Sequence, residues 1–208
     1  MSKFDLDEMN SCYLDVLREI GNIGAGNATT ALAQLLQRKV DMTVPQAELL
    51  EFKEVGRAIG GEESIMAGVY MVVEGDISGS MMFLLEKESA RHLVNQMLCK
   101  PDDEGASSDL FDEMEISVMK EIGNIITGAY LNSLSDLTHL KIYPSVPAIA
   151  IDMAGAILSV PAIEFGVLGD KILMIQTRFS DDIQIDGFFI LVPDVDSYQK
   201  ILESLGIA

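Results

Sequence analysis

Two pairs of residues stand out for the chemistry they could do: Glu19 with Asn22, and Glu121 with Asn124. Each is a carboxylate followed three positions later by a carboxamide. A carboxylate can pair with a cation, and an amide both donates and accepts, so together they can grip a polar partner and orient a water. Three-residue spacing makes such side chains neighbours on one helix face. A single exposed pair of this kind would read as ordinary solvated surface. Two pairs with identical spacing call for a closer reading.

The elements that must carry these residues come from a duplication. Asp15 to Pro45 reads DVLREIGNIGAGNATTALAQLLQRKVDMTVP, and Ser117 to Pro147 reads SVMKEIGNIITGAYLNSLSDLTHLKIYPSVP. At an offset of 102 residues, 12 of the 31 positions are identical, against about one in fifteen for unrelated segments. The polar, turn-rich stretch 101–109 reads as the connection between two repeats, about 10–100 and 110–208, of a single domain spanning 1–208. In each repeat a long helix carries the motif and a proline marks the entry into extended structure. Strand candidates follow at 68–73 and 79–85, and at 171–177 and 187–193. An amphipathic helix closes each repeat, over 89–98 and 197–205. These elements predict an α+β fold, internally duplicated and pseudo-two-fold, with the motif helices packed on one shared sheet.

At 100° per residue, Asp15, Glu19, Asn22 and Gly26 fall within about 60° of one another, opposite Leu17, Ile20, Gly21, Gly24, Ala28 and Ala31. The second copy sets Ser117, Glu121, Asn124 and Gly128 outward and Met119, Ile122, Gly123, Ile126 and Tyr130 inward. The polar stripes are therefore expected at the surface. Glycine inside a helix costs about 1 kcal/mol relative to alanine. Close packing can offset that at inward glycines. At Gly26 and Gly128 the missing side chain leaves Glu and Asn clear for a partner's backbone. Outward neighbours such as Asn27/Ala129 and Arg18/Lys120 differ between the copies, while Glu, Asn and Gly match.

Other chemistries find less support. Gly21-Asn22-Ile23-Gly24-Ala25-Gly26 lacks the spacing and the following Lys of a phosphate loop. His92 and His139 stand singly, without metal-ligand spacing, and no Gly-x-Ser-x-Gly elbow is present. Glu19 and Glu121 could serve jointly as the acid and base of a hydrolase only about 5–10 Å apart across one substrate, whereas duplicated halves place them at separate, symmetry-related positions. Cys12 and Cys99 form no Cys-x-x-Cys. With 33 acidic and 14 basic residues the net charge is −19, which repels nucleic acid and anionic membranes and favours a partner with a local positive charge. The first residues lack the basic start and apolar run of a signal peptide. Val146 to Ile163, interrupted by Pro147, Asp152 and Pro161, is a poor membrane span, and a cytoplasmic location is expected.

The pattern Asp/Ser-x-x-x-Glu-x-x-Asn, then 22 residues and Pro, occurs as Asp15, Glu19, Asn22, Pro45 and as Ser117, Glu121, Asn124, Pro147. It resembles the double signature of the CheC family of chemotaxis phosphatases, and the resemblance extends over essentially the whole chain. Two sites in one chain place it nearer CheC than CheX-like members, which have one, or FliY-like members, which add a further domain. The resemblance implies hydrolysis of the aspartyl phosphate of the response regulator CheY, with Glu19, Asn22, Glu121 and Asn124 catalytic. It implies no cofactor or metal site of the chain's own, the Mg2+ being carried by the phosphorylated regulator. Asp15, Gly26, Ser117 and Gly128 would flank the partner. The segment Ile149 to Ile157, with Asp152, resembles the part that contacts the receptor deamidase CheD, although it reads equally as a buried strand or the start of a helix. A non-catalytic adaptor for CheD or phosphorylated regulator is the competing expectation.

Overall fold

Each copy of the motif lies inside a 26-residue helix, α1 (Ser11–Leu36) and α4 (Glu113–Thr138). The computed structural model describes residues 11–37, 39–101, 110–165, 171–180 and 184–206. The expected connection between repeats, apart from Pro101, lies outside the described residues, as do Met1 to Asn10 and the side chain of Cys12. After α1 come β1 (Asp41–Glu51), α2 (Phe52–Ala58), β2 (Ile65–Gly75), β3 (Gly79–Glu86) and α3 (Lys87–Leu98). After α4 the series repeats as β4 (Ile142–Pro144), β5 (Ala148–Met153), α5 (Ala154–Phe165), β6 (Lys171–Ser180), β7 (Gln184–Pro193) and α6 (Val195–Ser204).

All seven strands join one antiparallel sheet in the order β1-β6-β7-β3-β2, with β4 and β5 both on the far edge of β2. That order is palindromic. The hairpins β2–β3 and β6–β7 meet at the centre, where Phe83 lies opposite Phe189 and their rings stack with centroids 4.7 Å apart. The first strand of each repeat then crosses to the hairpin of the other, β1 onto β6 and β5 onto β2. Each edge strand is interrupted at the proline of its motif. The β1 register shifts between Thr43 and Gln46, around Pro45, and the Ser145-Val146-Pro147 stretch separates β4 from β5. Proline has no N–H for a ladder, so it is confined to such edges. At the second break Ser145 bonds β2 instead, its Oγ accepting from the Val72 N–H at 3.0 Å and its N–H donating to the Val72 carbonyl at 2.8 Å.

The central strands are apolar on both faces because both are covered. In β3, Met81, Phe83 and Leu85 enter the core under α1, α3 and α4, while Met82 and Leu84 enter a second core with Val55, Ile59, Ile157 and Leu158 from the α2 and α5 region. The expected strands and closing helices are all present. The segment Ile149 to Ile157 differs from a buried strand: β5 is an edge strand with alternating exposure, and Ala154 begins a helix. Among the described residues no helix is long and apolar enough to cross a membrane.

Glycines set how closely the motif helices approach the sheet. A Cβ at Gly21 would meet Ile175 and Val44 at 3.5 Å, ordinary contact, whereas one at Gly123 would fall 2.6 Å from both γ-carbons of Val69. Overpacking of this kind costs about 1–3 kcal/mol. Gly123→Ala is therefore expected to lower the unfolding free energy by that amount, read as a lower urea midpoint, while Gly21→Ala, which gains helix propensity, leaves the midpoint unchanged or raises it. Equal losses from the two would contradict the difference in clearance.

Candidate functional site

The repeated helix pattern places Leu17, Ile20, Gly21, Gly24 and Ala28 of α1 in the interior, with Met119, Ile122, Gly123, Ile126 and Tyr130 of α4. Ala31 is half-buried. Opposite them, Asp15, Glu19, Asn22 and Gly26 are exposed on α1, and Ser117, Glu121 and Asn124 on α4, with Gly128 half-exposed. Among the described residues, none hydrogen-bonds or ion-pairs with the side chains of Glu19, Asn22, Glu121 or Asn124. All four are thus presented at the surface with polar atoms that no described residue engages. Glu19 and Glu121 stand on different helices, each beside its own Asn.

The two stripes are not identical. In the first, the Arg18 guanidinium pairs with Asp15 at 2.9 Å, an exposed contact of the kind worth at most about 1 kcal/mol. In the second, the Ser117 hydroxyl donates to the Glu113 carbonyl at 2.9 Å. Beneath them, α1 supplies Gly24 and Ala28 where α4 supplies Ile126 and Tyr130, all buried. The Gly24 Cα lies against the Tyr130 backbone and ring, so close that a Cβ there would come within 3.0 Å of the Tyr130 Cα. Across the same contact Asn27 Nδ2 donates to Ser133 Oγ at 3.1 Å. Tyr130 is fixed further by a 3.1 Å hydrogen bond to Thr177 and by the Phe189 ring, 4.1 Å away between centroids. The replacement of Gly24-Ala25 by Ile126-Thr127 between copies thus falls on the helix contact beneath the exposed stripes.

The start of α4 is held by groups that the motif reading did not single out. Asp112 Oδ1 accepts from the Glu115 N–H at 2.8 Å, and Glu115 Oε2 accepts from the Asp112 N–H at 2.9 Å. The reciprocal pair is a capping box, legible in the sequence as Asp-x-x-Glu before an apolar run. Glu115 is buried and also accepts from Arg91 at 2.9 Å and Lys100 at 3.2 Å. Burial alone would raise its pKa; the Asp112 N–H, the Lys100 hydrogen bond and the Arg91 charge outweigh that and hold it below the usual Glu value.

Asp152 lies apart from the helix stripes, exposed on edge strand β5, with its Oδ1 accepting from the Met153 N–H at 2.7 Å. The exposed pair Ile65 and Met153 flanks it in register. His92 is buried and His139 caps the end of α4 with a left-handed backbone. Among the described residues no three His, Cys, Asp or Glu side chains gather where a metal could be held.

The model of the CheC-like family matches residues 13–49 and 114–151, the two motif copies and the strands they lead into. Over 197 residues, 93% of each chain, the sequence is 39% identical to the CheY-P phosphatase CheC of Bacillus subtilis strain 168. The chain belongs to the CheC-like family. It is also 29% identical over 147 residues to the flagellar motor switch phosphatase FliY of the same organism, covering 71% of this chain and 38% of that longer one. In fold it is similar to Thermotoga maritima FliY, with a TM-score of 0.75, 21% identity and coverage of 96% of this chain and 98% of that one. Two family-matched segments in one chain agree with the palindromic sheet, since each supplies one motif helix and one crossing strand.

Proposed function

We propose that this CheC-like protein hydrolyses the aspartyl phosphate of the response regulator CheY, using Glu19 with Asn22 and Glu121 with Asn124 as two separate sites. The observation that carries the reading is the repeated presentation, on exposed helix faces, of a Glu–Asn pair that no described residue engages, in a chain 39% identical to a CheY-P phosphatase. Little machinery is needed. An acyl phosphate already has a good leaving group, so hydrolysis mainly requires a water held in line while the charge on the equatorial oxygens is neutralised. The regulator would bring that charge as its own Mg2+ and Lys. An Asn amide entering the regulator's site can orient the water through its donor and acceptor without acting as a base. The neighbouring Glu, by pairing with a cation on the regulator, would set the depth of insertion.

A second reading is favoured by one feature. Asp152, next to exposed Met153 and Ile65 on edge strand β5, suits a protein contact, and CheD is the partner we infer there. The two surfaces are distinct, so CheD binding and turnover are compatible, but an adaptor alone would bind without turnover. Phosphate release from acetyl-phosphate-charged CheY decides between them. The wild-type chain is expected to accelerate release catalytically at substoichiometric concentration, and release no faster than that of CheY alone would leave only the adaptor.

A further inference from the structure

Five glycines interrupt the motif helices: Gly21, Gly24 and Gly26 in α1, and Gly123 and Gly128 in α4. None has the positive φ that favours glycine. Crowding accounts for Gly24, against Tyr130, and for Gly123, against Val69, while Gly21 faces Ile175 and Val44 at contact distance. Gly26 and Gly128 differ, because a Cβ at either would meet no described residue within 4 Å. Alanine would fit in the free chain and is the better helix former. The described residues supply no steric reason for glycine there, yet both copies keep it while the flanking Ala25/Thr127 and Asn27/Ala129 differ.

A second matched pair borders the same spot. Ile23 and Ile125 directly follow the asparagines, one helical turn from Glu19 and Glu121, and Ile23 is 40% exposed although apolar. Ile125 is partly covered by the core. Glu, Asn, Ile and Gly thus occupy positions i, i+3, i+4 and i+7, a contiguous patch two turns long.

We infer that Gly26 and Gly128 are clearance positions where the main chain beside the partner's acyl phosphate passes over the helix, and that Ile23 makes the apolar contact that selects that partner. This rests on the phosphatase reading of the stripes. The glycines and Ile23 are positioning and specificity residues, distinct from the Glu and Asn that reach the reacting group. Asn is a short side chain, so its amide reaches a phosphate sunk in a partner's pocket only if the helix itself comes close. A methyl group one turn beyond Asn, on the same stripe, would hold the helix off, and misplacement by about 1 Å is enough to cost roughly 10²-fold in rate.

The test isolates one site at a time, using acetyl-phosphate-charged CheY for turnover and beryllofluoride-bound CheY for binding. In an Asn124→Ala background, Gly26→Ala is expected to lower kcat/KM by about tenfold or more, with the melting temperature unchanged or raised. In the same background Ile23→Ser is expected to raise KM and weaken binding with kcat kept. Gly128→Ala in an Asn22→Ala background is expected to repeat the glycine result. Glycine variants with unaltered kcat/KM in backgrounds that still turn over would overturn the clearance role and leave the phosphatase reading standing. A melting temperature that falls in step with activity would overturn it too, by assigning the glycines to the helix itself, where the Thr30 hydroxyl donates to the Gly26 carbonyl. If the wild-type chain releases no phosphate, the phosphatase reading falls and this inference with it.

Discussion

Replacing Asn22 and Asn124 together with alanine is expected to reduce phosphate release from charged CheY to nearly the rate of CheY alone, while binding of beryllofluoride-bound CheY persists. Removing one group that positions reactants in a preorganised site costs about 10²–10³-fold, or roughly 2.7–4 kcal/mol. Both side chains are exposed, and none of the described residues bonds to them, so their loss should leave melting and circular dichroism unchanged. Each single variant should retain the other site's turnover, and the two residual activities report how unequal the sites are. Glu19→Ala and Glu121→Ala are expected to behave differently, weakening binding as well as turnover, because they remove a contact made before the transition state. A folded double Asn variant with wild-type turnover would refute the mechanism.

The surroundings of the two stripes are unlike. Arg18 is paired with Asp15, whereas Ser117 stands at the Asp15 position in the second copy and bonds the Glu113 carbonyl. The beginning of α4 is tied to α3 through Glu115 and Arg91, and Tyr13 is the residue at the matching position of α1. The two helices therefore present the same Glu–Asn pair from unlike supports.

The motif stripes were legible because helical periodicity separates them from an apolar face, and the duplication doubled that signal. Central strands such as Gly79 to Glu86 were legible as apolar runs because both of their faces are buried. The exchange of β1 and β5 between hairpins was not, since strand partners are chosen by tertiary packing and an internal repeat is equally compatible with each half keeping its own strand. Helix α5 was legible only as a start within Ile149 to Ile157, one of two equal readings there. It is apolar on nearly every side and contains Pro161, so it lacks the alternation of faces that marks a helix at a surface. Helix α2, at seven residues and with Gly56 inside it, is too short for a period to register. The contrast between Gly26 and Gly24, one clear of the other described residues and one against Tyr130, appears only once the opposing helix is in place.

Glu115→Ala is expected to produce the largest loss of stability among single changes near the motif helices. The carboxylate is buried, with its side chain 7% exposed, beside an Arg91 side chain that is 8% exposed. Its removal takes a charged partner from Arg91 and from Lys100 and an acceptor from the Asp112 N–H. Arg91 also donates to the Leu110 carbonyl at 2.9 Å, and its guanidinium carbon lies 3.8 Å from the Phe111 ring. Breaking a buried pair from one side costs about 3–5 kcal/mol, which for a chain of this size corresponds to a fall in Tm of roughly 6–20 °C. The pH dependence gives an independent signature. Because the folded-state pKa of Glu115 lies below the ordinary value of 4.5, its ionised form stabilises the fold fully above that value, and the contribution is lost as pH falls through the folded pKa. Glu115→Gln keeps the shape and removes the titration. Urea midpoints of wild type and Glu115→Gln should therefore differ most near neutral pH and converge in acid, below the usual carboxylate range. Taking the difference between the two proteins cancels the many surface carboxylates they share. A gap that stays constant from neutral pH into acid would show that the ion cluster does not hold the start of α4 in the way its geometry indicates.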